Sequence, residues 1–195
     1  MIHQGTLLVV SGPSGSGKTT LCRRATEAGL CQYSISCTTR QPRPGERNGY
    51  DYHFLTPAEF STRVAAGDFL EHATVHTNSY GTLKADIVNL LQQGINVVMD
   101  IDVQGAEQVR ACTDHFICQS YADLFIHVPF QELENRLRGR NTDADDIIAL
   151  RLQNATEEES QRGLYQFTLI SSDRERDYAQ FTALLTALSL RTSLR

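Results

Sequence analysis

The stretch that decides the fold is Gly12-Pro13-Ser14-Gly15-Ser16-Gly17-Lys18-Thr19-Thr20. It follows an apolar run at residues 6–10, which predicts a buried strand, and it precedes a helix-like stretch at residues 21–28. Residues 12–19 match the pattern G-x-x-x-x-G-K-[ST] in the strand, loop and helix order that this pattern requires. The sequence therefore predicts a phosphate-binding loop between the first strand and the first helix.

Each residue type in this loop has a physical role in binding a polyphosphate. Glycine reaches positive φ, so several backbone N–H groups can face one phosphate, and the next helix adds the positive end of its dipole. Lys18 supplies a mobile charge for the β- and γ-phosphates, and the Thr19 hydroxyl is placed to bind Mg²⁺. Residues 12–20 are therefore predicted to bind a nucleoside triphosphate. The alternative is a glycine-rich turn that matches by chance, which the strand, lysine and hydroxyl in register disfavour.

Composition narrows the classes of function. The chain has 195 residues, 41% of them hydrophobic, which suits one compact unit with elaborations. With 18 Lys and Arg against 23 Asp and Glu, no bulk attraction to nucleic acid or to an anionic membrane is expected. Five cysteines without a C-x-x-C pair suit reduced thiols, and no apolar run is long enough for a signal core or a membrane span. We expect a cytoplasmic protein, whether monomer or homo-oligomer.

A cationic loop follows the first helix. Arg40 and Arg43 are stiffened by prolines at positions 42 and 44, and Tyr52 follows in the same segment. A rigid pair of guanidinium groups with a nearby phenol suits a terminal phosphate dianion. A solvated surface is the preferred interpretation for Arg47 and Tyr50. The loop therefore predicts a second phosphate site.

Two acidic residues end a nearly continuous apolar run. Residues 96–102 predict a central parallel strand that is buried on both faces and that ends in Asp100 and Asp102. Ligands bind at the carboxyl ends of such strands, so both carboxylates are candidates for organising Mg²⁺ and substrate. Capping of the next helix is the alternative for Asp102, and both roles can hold together.

The rest of the chain alternates between apolar strands and helices, which predicts an open parallel α/β sheet. Residues 32–37 predict one strand, residues 78–81 a turn, and Thr82 the cap of the helix that follows. Thr56 begins a capping box for a helix that ends near Gly67. A C-terminal helix packed on the core is predicted from five apolar residues, Tyr178, Phe181, Leu184, Leu185 and Leu188.

Residues 132–140 predict an arginine-rich helix, and a second helix follows residues 141–144. In the second helix Ile148, Leu152 and Ala155 share one face, which is only a thin apolar stripe. We expect this pair of helices to be poorly anchored and able to move as a flap. If the flap closes over the phosphates, its arginines neutralise transition-state charge, and otherwise they are surface cations. These arginines are Arg136, Arg140 and Arg151.

Over nearly its whole length the chain resembles the guanylate kinases. The most specific match is T-T-R-x-P-R-x-G-E at residues 38–46, followed by D-Y-x-F at residues 51–54. The resemblance implies transfer of a phosphoryl group from ATP to GMP, giving ADP and GDP, with Mg²⁺, on a three-layer α/β fold of P-loop NTPase type. It also implies a small mixed-β GMP-binding insertion at 35–85, a helical lid at 129–157, and core segments at 1–34, 86–128 and 158–195.

By position, the resemblance assigns a role to individual residues. The residues that would hold the GMP phosphate are Arg40, Arg43, Tyr52 and Tyr80. Those that would contact the guanine are Ser36, Glu71 and Thr82, with Asp100 close to substrate and metal. Those that would act in catalysis are Lys18, Arg40, Arg136, Arg140 and Arg151. The chain departs from the family at Ser171 and Ser172, where an asparagine-aspartate pair is usual near the adenine.

The chemistry of guanine supports the role assigned to Glu71. Guanine presents N1–H and N2–H₂ as adjacent donors, and one carboxylate can accept from both, while the hydroxyls of Ser36 or Thr82 can donate to O6. Adenine has neither donor on that edge, and such a polar mismatch can discriminate by roughly 10⁴-fold. No general base is needed, because a phosphate monoester has a second pKa of about 6.

Two other classes of function share parts of this pattern. Guanylate-kinase-like domains of scaffold proteins bind phosphopeptides on the same fold, but they usually have a damaged phosphate loop, whereas Lys18 and Thr19 are intact here. Ribose bisphosphate phosphokinases resemble the family at the phosphate loop and would not need Arg40, Arg43 and Glu71 in this arrangement. An acceptor without a nucleobase discriminates between the last class and a nucleotide kinase.

Overall fold

The computed structural model describes residues 3–75, 77–139, 145–191 and 194. Five strands form a parallel sheet in the order β2-β7-β1-β8-β9. Their bounds are β1 (Leu7–Ser11), β2 (Gln32–Tyr33), β7 (Val97–Asp100), β8 (Tyr121–His127) and β9 (Phe167–Ile170). The expected parallel α/β core is therefore confirmed.

Four further strands form a second, smaller sheet in the order β4-β3-β6-β5. Their bounds are β3 (Cys37–Thr38), β4 (His53–Phe54), β5 (Phe69–Val75) and β6 (Asn78–Leu83). The β3–β4 pair is parallel, whereas β3–β6 and β5–β6 are antiparallel. This second sheet, called the mixed sheet below, confirms that the fold carries a mixed-β element beside the parallel core.

The helices of the described residues are α1 (Lys18–Glu27), α2 (Pro57–Ala66), α3 (Lys84–Gln92), α4 (Val103–Arg110), α5 (His115–Ser120), α6 (Phe130–Arg138), α7 (Asp145–Ser160) and α8 (Arg174–Ser189). A 3₁₀ turn lies at Arg162–Leu164. Within the described ranges, no helix has the length and apolar character needed to cross a membrane.

The side chains of β1 alternate between the two faces of the parallel sheet, and helices cover both faces, which gives the core three layers. These side chains are buried on both faces of the sheet. Leu8 and Val10 pack with α1 and α8 on one face, whereas Leu7 and Val9 pack with α3, α4 and α5 on the other. Because successive side chains of a strand point to opposite faces, one short apolar run serves both layers.

Helices α6 and α7 have a small hydrophobic cluster of their own. Leu133 and Leu137 of α6 pack against Ile148 and Ala155 of α7, and Val128 closes the cluster at the end of β8. The apolar stripe predicted for α7 is therefore the face that holds the two helices together. The movement proposed for this pair stays a prediction.

Three local predictions were wrong. Residues 32–37 form two strands in different sheets, because the chain leaves β7 after Tyr33 and joins β6 at Cys37. Residues 78–81 belong to β6, whose pairing with β5 overrides the turn-forming composition of Asn78-Ser79-Tyr80-Gly81. Thr82 lies in the same strand, and the residue that precedes α3 is Leu83.

Two predicted helix starts are confirmed. Thr56 and Glu59 form the capping box of α2, and Gly67 ends that helix with a φ of 71°. Asp102 caps α4 by accepting a hydrogen bond from the Gly105 N–H at 2.8 Å. The capping alternative for Asp102 is therefore correct, and its carboxylate is fixed beside the end of β7 by that bond.

Candidate active site

The phosphate loop, residues 12–20, begins directly after β1 and runs into the first turn of α1, in the order predicted. Gly12 has a φ of 140°, and a Cβ there would lie 2.5 Å from the Ile126 carbonyl oxygen of β8. Gly17 has a φ of 97° and immediately precedes α1. The loop therefore needs glycine for both close packing and backbone conformation, and it leads directly into the helix N-terminus.

Side chains from three elements, α1, β2 and β7, meet at the start of α1. The Lys18 ammonium donates to the carbonyls of Gly12 at 2.5 Å and Pro13 at 3.1 Å. The Thr19 hydroxyl donates to the Asp100 carboxylate, and the Tyr33 hydroxyl donates to the same carboxylate at 3.3 Å. The structure thus brings together Thr19 and Asp100, two of the three residues considered for Mg²⁺, whereas the third, Asp102, caps α4.

The Thr19 hydroxyl and the Asp100 carboxylate offer oxygen ligands of the kind that Mg²⁺ binds. Mg²⁺ prefers hard oxygen ligands and is usually held by one or two protein groups together with substrate phosphates. Among the described residues no group of three or more His, Cys, Asp or Glu side chains is arranged to hold a metal. A hydroxyl and one carboxylate, as in Thr19 and Asp100, suit a Mg²⁺ ion that arrives with nucleotide phosphates.

A cavity of about 340 Å³ lies over the phosphate loop. Besides the loop, its lining includes Asp100, Asp102 and Glu158, which α7 contributes. Burial raises the pKa of Glu158, an effect that Lys18 opposes and Asp102 strengthens. Glu158 could not be predicted from the sequence, because nothing in its local pattern indicates that the end of α7 reaches the phosphate loop.

The flap arginines lie in different surroundings. The Arg151 guanidinium on α7 contacts the Ser14 hydroxyl of the phosphate loop at 3.5 Å. Arg136 on α6 donates to Glu132 at 2.9 Å and to the Ser171 hydroxyl at 3.0 Å, next to the end of β9. Arg140 lies outside the described residues. Arg151 is thus the described flap arginine that contacts the phosphate loop.

A second cavity, of about 720 Å³, lies beside the phosphate loop. Its lining includes Ser171 and Ser172, the two positions at which the chain departs from the pattern that it otherwise resembles. The Ser171 hydroxyl donates to the buried Asp177 carboxylate at 2.7 Å, and the Ser172 N–H donates to it at 3.0 Å. This cavity also reaches Gly17, Thr20 and Arg136. It therefore has room for a nucleoside next to the phosphates of a bound triphosphate.

The cationic loop is organised by a residue that was given no role from the sequence. Glu46 accepts from the Arg40 guanidinium at 2.8 and 3.0 Å and from the Arg43 N–H at 2.7 Å. Arg40 holds the pKa of Glu46 below its ordinary range. The signal was available, because Glu46 ends the T-T-R-x-P-R-x-G-E motif.

Two tyrosines border this arginine loop. The Arg40 guanidinium lies 5.4 Å from the centre of the Tyr52 ring. The rings of Tyr52 and Tyr80 meet edge to face, with centroids 6.2 Å apart. Three residues predicted to hold one phosphate, Arg40, Tyr52 and Tyr80, are thus neighbours, and the Arg43 side chain is exposed on the same loop.

A buried polar cluster lies in the mixed sheet. Glu71 is only 6% exposed and accepts a hydrogen bond from the Thr82 hydroxyl at 2.7 Å. The Ser36 hydroxyl lies 3.3 Å from that of Thr82, so the three side chains form a chain of contacts. Burial raises the pKa of Glu71, and the hydrogen bond from Thr82 opposes that rise. This carboxylate has capacity for further donors, which a ligand can supply.

The parallel sheet, the glycine-built phosphate loop and the second polar site in the mixed sheet together define a P-loop kinase for small phosphorylated substrates. A family model described as guanylate kinase matches residues 4–188. The guanylate kinase of Syntrophotalea carbinolica is 43% identical, over 99% of this chain and 90% of that protein. That of Fusobacterium nucleatum is 42% identical, over 88% of this chain and 91% of that protein.

A solved structure agrees with these relatives. The crystal structure of guanylate kinase from Anaplasma phagocytophilum superposes with a TM-score of 0.76 at 27% identity, covering 98% of this chain and 90% of that chain. The chain belongs to the guanylate kinase family. The family, the fold and the class of enzyme predicted from the sequence are therefore confirmed.

Proposed function

We propose that this chain is an active guanylate kinase, which transfers the γ-phosphoryl group of ATP to GMP and releases ADP and GDP. The observation that carries the proposal is the buried Glu71 carboxylate with the Thr82 hydroxyl at 2.7 Å, in a chain that also has a complete phosphate loop. A phosphate loop alone is common to many classes of protein. The buried acceptor in the mixed sheet is what suits guanine.

The ATP side of the site is built on the phosphate loop. Its backbone N–H groups and the α1 N-terminus favour the triphosphate, and Lys18 leaves its loop carbonyls to contact the β- and γ-phosphates. Thr19 and Asp100 would hold Mg²⁺, which neutralises phosphate charge when it is bound. The cavity beside Ser171 and Ser172 would take the adenosine, with serine hydroxyls in place of the family's usual amide and carboxylate.

The GMP side is built from the mixed sheet and the cationic loop. Arg40, Arg43, Tyr52 and Tyr80 would bind the GMP phosphate, because guanidinium and phenol groups donate to phosphate oxygens. Glu71 would accept from the guanine N1–H and N2–H₂. Ser36 and Thr82 would supply hydroxyls to the same base, with Asp100 between the two substrates.

The reaction needs alignment and charge neutralisation. An oxygen of the GMP phosphate attacks the γ-phosphorus in line, the bond from that phosphorus to the β,γ-bridging oxygen breaks, and ADP leaves with the bond electrons. Lys18, Arg40, Arg136, Arg140 and Arg151 would stabilise the charge on the transferring group. Closure of residues 129–157 and of the insertion at 35–85 over the core would bring the two anions together.

The setting of this reaction is also proposed. The chain would act in the cytoplasm, in purine nucleotide metabolism, where GMP from salvage or turnover becomes GDP. The free cysteines of the structure support a reducing compartment. Nucleic acid and membrane are not among the proposed partners, since the net charge of -5 gives no bulk attraction to either.

Formation of ADP by the purified protein tests the proposal. ATP and Mg²⁺ are supplied with GMP, AMP, CMP, UMP, ribose bisphosphate or no acceptor, and Lys18→Ala controls for contaminating kinases. We expect turnover with GMP alone. Binding of GMP without turnover by any acceptor would favour the scaffold-type binding module, and turnover with ribose bisphosphate would favour a sugar phosphate kinase.

A further inference from the structure

The strand that carries Glu71 lies at the edge of the mixed sheet. β5 is the last strand in the order β4-β3-β6-β5 and pairs with β6 along one side. On its other side, the side-chain amide of Gln108 meets the backbone of His72. The His72 N–H donates to the Gln108 Oε1 at 3.0 Å, and the Gln108 Nε2 donates to the His72 carbonyl at 2.9 Å. One side chain of α4 thus forms both hydrogen bonds that a neighbouring strand would form with that residue.

The backbone is irregular at the same point. The pairing of β5 with β6 shifts register between Phe69 and Glu71, as in a β-bulge. A bulge changes the direction of the side chains beside it, and the successive residues Leu70 and Glu71 are both only 6% exposed here. Leu70 packs into the core, and Glu71 turns towards Thr82. The direction of Glu71 therefore depends on how this edge is held.

Helix α4 also touches Glu71 directly. A Cβ on Gly105 would lie 3.2 Å from the Glu71 Oε2, so the helix backbone comes close to this carboxylate. Gly105 and Gln108 are three residues apart and lie on one face of the helix. The same helix begins at the Asp102 cap, directly after the end of β7. Helix α4 therefore links the edge that holds Asp100 to the strand that holds Glu71.

We propose that Gln108 is a specificity-determining positioning residue for the acceptor base: its two hydrogen bonds to His72 fix β5 so that the Glu71 carboxylate meets guanine. This inference rests on the proposed function of Glu71. Gln108 acts through the backbone of β5 and needs no contact with substrate. A displacement of Glu71 by a fraction of an ångström weakens its two bonds to the base and leaves the ATP side unchanged.

The test uses Gln108→Met, which keeps the length and most of the volume of the side chain and removes both hydrogen bonds. Gln92→Met makes the same chemical change at an exposed position of α3 and serves as the control. We expect Gln108→Met to raise the KM for GMP by about tenfold and to lower the ratio of kcat/KM for GMP over IMP by a similar factor. The KM for ATP should change less than twofold, and Gln92→Met should behave as the wild type.

Two results would overturn the proposal. One is an unchanged KM for GMP in Gln108→Met, and the other is an equal loss for GMP and ATP, which indicates a general loss of structure. Hydrogen exchange at the His72 amide should accelerate in Gln108→Met and not in Gln92→Met, and unchanged exchange would contradict the role proposed for the two hydrogen bonds between Gln108 and His72. Wild-type protein that fails to use GMP would refute the proposed function instead, so the two failures are distinguishable.

Discussion

The two polar regions of this molecule are built in opposite ways. The phosphate loop is one continuous stretch, residues 12–20, in which backbone N–H groups and positive-φ glycines form the site. The site in the mixed sheet is assembled from side chains of separate segments, which contribute Ser36, Arg40, Glu71 and Thr82. A site made of backbone is set by local sequence, whereas a site made of side chains depends on long-range strand pairing.

This difference predicts how each region responds to mutation. In the phosphate loop, most side chains matter less than the glycines, and Lys18 carries the mobile charge. In the mixed sheet, each polar side chain is proposed to contribute on its own to the recognition of one substrate. Substitutions in the two regions should therefore separate effects on ATP from effects on GMP.

The largest effect is expected from Lys18→Ala. Without the Lys18 ammonium, no positive charge of this side chain faces the γ-phosphoryl group during transfer. The kcat should therefore fall by about 10³-fold, because a preorganised charge at the transferring group is removed. The affinity for GMP, measured by calorimetry without ATP, should stay within twofold. A parallel loss of GMP affinity would show that the two regions are not separable.

The next effect concerns the phosphate of the acceptor. Arg43→Ala should raise the KM for GMP by about 10- to 100-fold, because the loss of a hydrogen bond between charged groups weakens binding by about that factor. The KM for ATP should stay nearly unchanged. Arg47→Ala is the matched control, since Arg47 lies over the Tyr50 ring, 4.0 Å from its centre, in the same loop. Equal losses for both substrates in steady-state assays would contradict the role assigned to Arg43.

The buried Glu71 carboxylate should lower the free energy of unfolding of the protein near neutral pH. Burial raises the pKa of Glu71, so its ionised form opposes folding above that raised pKa. Glu71→Gln should therefore increase the free energy of unfolding by about 1 kcal/mol near neutral pH. The gain should shrink as the pH falls through the raised pKa and vanish below the ordinary carboxyl pKa of about 4, where wild-type Glu71 is protonated in both states.

Urea denaturation of the wild type and of Glu71→Gln across this pH range measures the difference in the free energy of unfolding. Glu157→Gln removes one charge at an exposed position and serves as the control. A gain that stays constant with pH would show that ionisation of Glu71 is not its cause.

The smallest effect is expected from Glu158, the carboxylate that α7 places in the cavity over the phosphate loop. Its charge repels the phosphates, so Glu158→Gln should bind ATP severalfold more tightly when no divalent cation is present, by about 1 kcal/mol or less. Glu157→Gln removes the same charge at an exposed position and should leave the affinity unchanged. Equal effects of the two variants in titrations with a fluorescent ATP analogue would mean that only net charge matters.

The contrast between local sequence and long-range strand pairing also explains which predictions from the sequence agree with the structure and which do not. The strand, loop and helix order around residues 12–20, the apolar strands of the core and the Thr56 capping box depend on neighbouring residues, and these structural predictions are confirmed. Residues 78–81 have the composition of a turn, but their pairing with β5 makes them a strand. The resemblance associates Thr82 with guanine, and this role stays a prediction. The role of Thr82 as a helix cap was wrong, because Thr82 lies in β6.

Some of the candidate site could not be predicted because it depends on the packing of distant elements. Glu158 reaches the phosphate loop only because α7 packs on α6, and Gln108 meets His72 only because α4 lies against the edge of β5. Neither residue has a local pattern that indicates such a contact. Glu46 is different, because it stands in a recognisable motif and could have been assigned to the arginine loop from the sequence.

The measurement that tests the account most directly is the preference for GMP over IMP in the wild type and in Glu71→Gln. IMP keeps the N1–H of guanine and lacks its 2-amino group, so it removes one of the two donors proposed to reach Glu71. We predict that the wild type prefers GMP by about 10- to 100-fold in kcat/KM and that Glu71→Gln loses at least tenfold of this preference. A preference for GMP that is unchanged in Glu71→Gln would contradict the claim that this buried carboxylate recognises guanine.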